Sequence, residues 1–271
     1  MKRFIFSDNG TLLDKTIELE DYHTGVATID YTATEDAIYL GSELPFNSLF
    51  ISLSSANSIA SVFSVSHWNG NSWASMVEIK DETVGLTQSG YLTWVPSKDE
   101  TWQAEDTEEI TGLTTLTIYD LYWLKLTMSA TLAPSTSIKW IGSKFCSDDD
   151  LTNEYTLFAN TTFRSNYKSG KTSWENEIIL ASRLIVDDLE KRRVIEASDQ
   201  LLIRRRLIDA CVSKAAQIIF KNLGDDYKDD AEKAKKEYYE RLNKSNYGTD
   251  LNNNARVESG EKKAVTGVFY Q

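Results

Sequence analysis

The sequence predicts an α+β protein of two domains: an antiparallel β-sandwich or jelly-roll-like domain, then an α-helical bundle ending in an extended C-terminal arm. Three observations predict it. Residues 1–142 carry 7 Lys/Arg and 19 Asp/Glu and residues 143–271 carry 22 of each, so the whole net charge of −12 belongs to the first half. All three prolines (Pro45, Pro96, Pro134) and six of the seven tryptophans precede residue 142. The apolar pattern also changes from short alternating runs to helical spacing. The expected organisation is a β-sandwich at 1–142, a helical domain at 143–245 and an arm at 246–271.

In the first half, Thr11–Leu19, Gly25–Ala33, Ala37–Leu40, Leu49–Ser54 and Val62–Trp68 are rich in β-branched and aromatic residues, which favour strands. Asn69-Gly70 between Trp68 and Trp73 supplies a hairpin turn. Tyr91–Val95, Leu113–Tyr119, Leu121–Ser129 and Ile138–Ile141 continue the series. Nine or so strands without intervening helical patterns favour packed antiparallel sheets over a parallel sheet.

In the second half, Asp148 to Asp150 suit the positive end of a short helix within 148–158. Residues 160–171 are polar and read as a loop. Thr172-Ser173-Trp174-Glu175 fits a capping box, and Trp174, Ile178, Ala181 and Ile185 then follow at helical spacing towards Arg192. A long helix is expected from about Asp199 to Leu223, with Cys211 on its buried stripe and Gly224 ending it. A last helix spans about Asp226 to Asn243.

Composition and motif restrict the chemistry. Two histidines (His23, His67) and two cysteines (Cys146, Cys211) leave few candidates for histidine catalysis or a zinc site. His67 reads as a satisfied strand residue. The cysteines, 65 positions apart, read as a free, reduced pair, with Cys211 as core. No nucleophile–base–acid set and no Gly-rich phosphate loop is present, so an enzyme is not expected and no cofactor is implied. No signal segment or apolar run of membrane length is seen, and the expectation is a soluble protein made in a cytosol.

Four clusters remain. Trp68, Trp73 and Trp102 border polar turns and could contact a glycan or protein partner, while Trp94 and Trp123 read as core. Asp99, Glu100, Glu105, Asp106, Glu108 and Glu109 read as solvated surface rather than a glycosidase pair. Arg204-Arg205-Arg206 would fan around a helix, so the three cannot share one ligand. From Asp250, the tail matches part of a calcium loop, with Asp250, Asn252, Asn254 and Glu261 as oxygen ligands. Ala255 stands where that loop wants glycine and no exit helix follows, which leaves a turn-rich arm as the simpler reading. Val265, Val268, Phe269 and Tyr270 make its end apolar and suited to docking.

Taken in order, Ser147-Asp148-Asp149-Asp150-Leu151, Ile178 to Leu189, the alanine-rich third helix, the Leu223-Gly224-Asp225 break, Glu237-Tyr238-Tyr239-Glu240-Arg241-Leu242 and Asp250-Leu251-Asn252-Asn253-Asn254 resemble the head–tail adaptor (connector) proteins of tailed bacteriophages. The resemblance covers about Cys146 to Gln271. It implies a structural virion protein of the neck, assembled in the host cytoplasm. Such proteins form a ring, typically dodecameric, between the portal protein and a stopper, tail or nozzle protein, with DNA only as passing cargo. Asp250, Asn252, Asn254, Val265, Val268, Phe269 and Tyr270 would then belong to the arm that docks on the portal or a neighbouring subunit. Compact members of the family are little more than the helical domain, so the β-sandwich is an addition, expected to face outward and hold tail fibres or stabilise the neck. The alternative is a carbohydrate-binding or fibre-anchoring tail or baseplate component that uses the sandwich.

Overall fold

The computed structural model describes residues 2–99, 101–245, 248–256 and 258. The chain is α+β and divides into two compact units. Among the described residues, one comprises 2–142 with 252–256, and the other 143–251.

Among its described residues the first unit holds twelve strands and one short α-helix in the order β1 (Arg3–Asp8), β2 (Thr11–Asp14), α1 (Thr16–Glu20), β3 (Ala27–Thr28), β4 (Ala37–Ser42), β5 (Ser48–Ser55), β6 (Phe63–Trp68), β7 (Trp73–Ser75), β8 (Val77–Asp81), β9 (Gly90–Val95), β10 (Ala104–Glu105), β11 (Leu121–Met128) and β12 (Ser137–Gly142). One antiparallel sheet runs β2-β1-β4-β11-β6-β7, with β10 paired to the start of β11; the other runs β3-β12-β5-β9-β8. Alternation along the strands explains the packing. Phe4 and Phe6, Ile38 and Leu40, and Leu124 and Leu126 face the core shared with Leu49, Ile51, Leu92 and Trp94 of the second sheet. The intervening Ile5, Ala37, Tyr39 and Trp123 point the other way and are buried as well.

That second burial comes from residues 106–120, where the sequence suggested a strand over Leu113–Tyr119. No strand forms there. Successive turns place Ile110 N on Thr107 O (3.2 Å), Leu113 N on Ile110 O (2.9 Å) and Leu116 N on Leu113 O (3.0 Å). Apolar side chains three residues apart thus fall on one side, where Ile110 and Leu113 join Tyr39, Trp68 and Trp123 in a second small core. Thr and Ile carry strand propensity, but their spacing here is three rather than two. Gly41 is needed beneath this lid, because a Cβ there would meet the Trp123 ring at 2.9 Å.

Other departures are local. β1 was not anticipated, although it pairs with both β2 and β4. Thr11–Leu19 splits into β2 and α1, and Gly25–Ala33 contributes only the two residues of β3. The Trp68↔Trp73 pair does flank a hairpin. Its turn is four residues long and is held by Asn69 Oδ1, which accepts from Asn71 N (3.0 Å) and Ser72 N (2.8 Å).

The second unit is helical: α2 (Asp148–Glu154), α3 (Thr161–Tyr167), α4 (Glu175–Lys191), α5 (Ile208–Leu223) and α6 (Lys228–Lys244). Ser147 and Asp150 form a reciprocal capping box on α2. α3 lies in the stretch read as a loop, capped by Asn160, whose Oδ1 accepts from Thr162 N and Phe163 N. Ser173 Oγ accepts from Glu175 N, but Trp174 is the residue preceding α4, so the expected capping box does not form. The helix expected from Asp199 begins only at Ile208. Short 3₁₀ turns at Ser198–Gln200 and Arg204–Leu207 precede it, and residues 201–203 are non-helical. Gly224 ends α5 at φ +94° and ψ −161°, a conformation open to glycine. The core gathers Leu151, Phe158, Trp174, Ile178, Ile185, Cys211, Ala215, Ile219 and Tyr238.

Candidate functional site

The three tryptophans offered as a contact surface do not form one. Trp68 and Trp102 are buried, and Trp73 is half-buried against Trp68 and Tyr39. Trp102 Nε1 donates to Trp123 O (3.1 Å), and Trp73 Nε1 donates to Thr111 O (2.9 Å) on the lid. The sandwich core takes up Trp102 and the second small core takes up Trp68, while Trp73 keeps part of its surface exposed. Polar turn residues next to these tryptophans suggested exposure, but the lid that covers Trp68 is forty residues away in sequence. Trp94 and Trp123 are wholly buried. His67 is wholly buried too, its ring 5.7 Å from that of Trp102.

The acidic segment is partly structural. Thr107, 0 % exposed, donates through its backbone N to Ile118 O (2.9 Å) and through Oγ1 to Leu116 O (2.8 Å); the same Oγ1 accepts from Ile118 N (3.0 Å). Asp106 Oδ1 accepts from Asp120 N (2.9 Å). These bonds close the ends of the lid on each other. Lys125, beneath it, lies 5.9 Å from the ring centres of both Tyr39 and Trp73, and burial lowers its pKa.

In the helical unit a polar network links the helices. Tyr238 Oη donates to Asp188 Oδ2 (2.7 Å), which also receives Lys214 Nζ at 3.5 Å. Tyr155 Oη donates to Glu237 Oε2 (2.7 Å), and Arg241 pairs with Glu154. Burial, followed by these carboxylate partners, raises the pKa of both phenols. These bonds tie α2, α4, α5 and α6 to one another.

Arg204 departs from a solvated basic run. It is buried, with Nη1 on Ser143 Oγ (2.5 Å), Nε on Leu201 O (3.3 Å) and Nη2 on Ser198 O (3.3 Å). Its partners are neutral oxygens of the chain that precedes α5, so it shapes that bend. Arg205 and Arg206 are exposed. Sequence reasoning missed this role because it placed all three arginines on a continuous helix.

The tail residues separate. Asp250 is buried in the helical unit, where its N donates to Gln200 O (2.9 Å), and Thr249 bridges Leu201. Asn252 and Asn254 belong to the β unit. Asn254 Oδ1 accepts from Arg256 N (2.8 Å), Arg256 Nε donates to Pro96 O (3.1 Å), and Ala255 is buried in the sandwich core. Ala255 takes φ +55°, the left-handed turn for which a calcium loop uses glycine. Glu261, Val265, Val268, Phe269 and Tyr270 lie outside the described residues. Among the described residues no group of three or more His, Cys, Asp or Glu is placed to hold a metal ion. No helix among them is long and apolar enough to cross a membrane.

The cysteines, distant in sequence, meet. Cys146 Sγ and Cys211 Sγ are 3.1 Å apart, both buried. No family model matches the chain, and no characterised protein matches it in sequence.

Proposed function

We propose that this chain is a structural component of a tailed-phage neck: a head–tail adaptor whose helical unit forms a ring, typically of twelve copies, between the portal and a stopper, tail or nozzle protein. The observation that carries the reading is the order of elements in the helical unit. An acid-capped α2 precedes α4, the alanine-bearing α5 breaks at Gly224, and α6 follows. These elements carry the segments that resemble adaptor proteins. The charge distribution is in keeping with it. Residues 143–271 carry 22 charges of each sign and so suit close contact between copies, while the acidic excess lies in the β unit. DNA would pass through such a ring as cargo without a basic binding groove. The β unit would face outward, towards tail fibres or the neck surface. Of the tryptophans that the carbohydrate-binding alternative would use, Trp68 and Trp102 are buried and Trp73 is half-buried, which favours the adaptor reading.

Negative-stain images of the purified chain, alone and with its portal protein, test the reading. Rings are expected; monomers or fibrous trimers under all assembly conditions overturn it. Residues 252–256 are part of the β unit, so the informative truncation removes only 259–271. It should abolish portal binding or ring closure while leaving both units folded. Normal assembly of that truncation removes the docking role of Val265, Val268, Phe269 and Tyr270.

A further inference from the structure

We propose that Cys146 and Cys211 are the two halves of an intramolecular disulfide that ties the entry of the helical unit to α5. The sulfurs stand 3.1 Å apart, and a disulfide bond is about 2.05 Å long, so closure needs a movement of only about 1 Å. Both partners are held in place. Cys146 lies between Phe145, whose N donates to Ser182 Oγ (3.0 Å), and Ser147, which caps α2. Cys211 is in the first turn of α5, with its Sγ 3.5 Å from the same Ser182 Oγ. Ala181, Ala210 and Ala215 are buried in the same core and keep bulk low. The chain has two cysteines in all, so no other pairing within it competes.

A disulfide-class oxidant such as glutathione disulfide balances the step. One protein thiolate attacks a glutathione sulfur, the S–S bond of glutathione breaks, and one glutathione thiolate leaves. The second protein thiolate then attacks the mixed disulfide, the Cys146–Cys211 bond forms, and the second glutathione leaves. Two cysteines are oxidised, one glutathione disulfide is reduced to two thiols, and the two protons end on those thiols. The hydrogen bond with Cys211 and burial hold the Cys146 thiol well above its ordinary pKa, which keeps it protonated once folded. Closure therefore belongs to folding, while both thiols are still accessible.

The test is to refold the full chain in a reduced–oxidised glutathione mixture, denature it in the presence of an alkylating agent, and measure its intact mass. The expected product is two hydrogens lighter, unalkylated and monomeric, with the Cys146 and Cys211 peptides linked after digestion. Its thermal midpoint should fall by roughly 5–10 °C on reduction, from the loss of a cross-link closing a long loop. Cys146→Ser and Cys211→Ala should each show a midpoint indifferent to reductant. Two alkylated thiols at the most oxidising ratio, persistent glutathione adducts or cross-linked dimers would each overturn the proposal, and this mass readout requires no variant to fold.

Discussion

At the scale of the residue, burial and a partner decide what each polar group does. Tyr238 is wholly buried and donates to Asp188 at 2.7 Å, so burial first and the carboxylate second raise its pKa above the ordinary value of 10.0. The sign follows from proton counting. Above pH 10 the unfolded tyrosine releases its proton while the folded one keeps it, so the folded state binds more protons and stability falls as pH rises. The contribution is complete below pH 10 and declines above it by about 1.4 kcal/mol per pH unit. Urea midpoints between pH 8 and 11 check this. Other buried tyrosines add slopes of their own, so the comparison is with Tyr238→Phe, whose decline should be shallower; equal slopes would refute the assignment. Arg204 makes the same point through geometry. Its guanidinium serves the bend before α5 because its partners are Ser143, Leu201 and Ser198 rather than solvent.

Among the elements, the 106–120 lid shows how irregular chain can complete a core. Its cover rests on side chains three residues apart, and its closure rests on Thr107. Thr107→Val keeps the shape but strands Leu116 O and Ile118 N, so a loss of about 2–3 kcal/mol is expected. Urea unfolding followed by tryptophan fluorescence measures it, and a change within about 0.5 kcal/mol would show that the lid closes without the hydroxyl. Strands built from longer β-branched and aromatic runs were legible in the sequence. β4, β5, β6, β9, β11 and β12 fall close to where β-branched and aromatic runs place them. β1 was missed because Phe4-Ile5-Phe6 is a short continuous apolar run, and only its burial on both faces shows why it lacks alternation. The start of α5 was misplaced for a related reason. Residues 199–207 carry helical spacing, yet Leu201 pairs with Thr249 and Leu202 N donates to Gly248 O, tertiary contacts that override local preference.

For the whole molecule, two units with separate cores predict two unfolding events. Six of the seven tryptophans lie in the β unit and all the long helices in the other. Fluorescence should therefore follow the first unit and helical circular dichroism the second, with transitions that do not coincide. Superimposable curves across pH and urea would show a single cooperative block. The α+β class and the run of strands followed by helices were determined by the sequence alone, because both depend on local spacing of apolar residues and on turn formers. Tertiary structure alone decided that Trp68 and Trp102 are core, that 106–120 is a lid, that Asn252–Arg256 joins the β unit, and that Cys146 meets Cys211. Each of these depends on which distant segments come together. A one-dimensional pattern records which face of an element is apolar, but not what arrives to cover it.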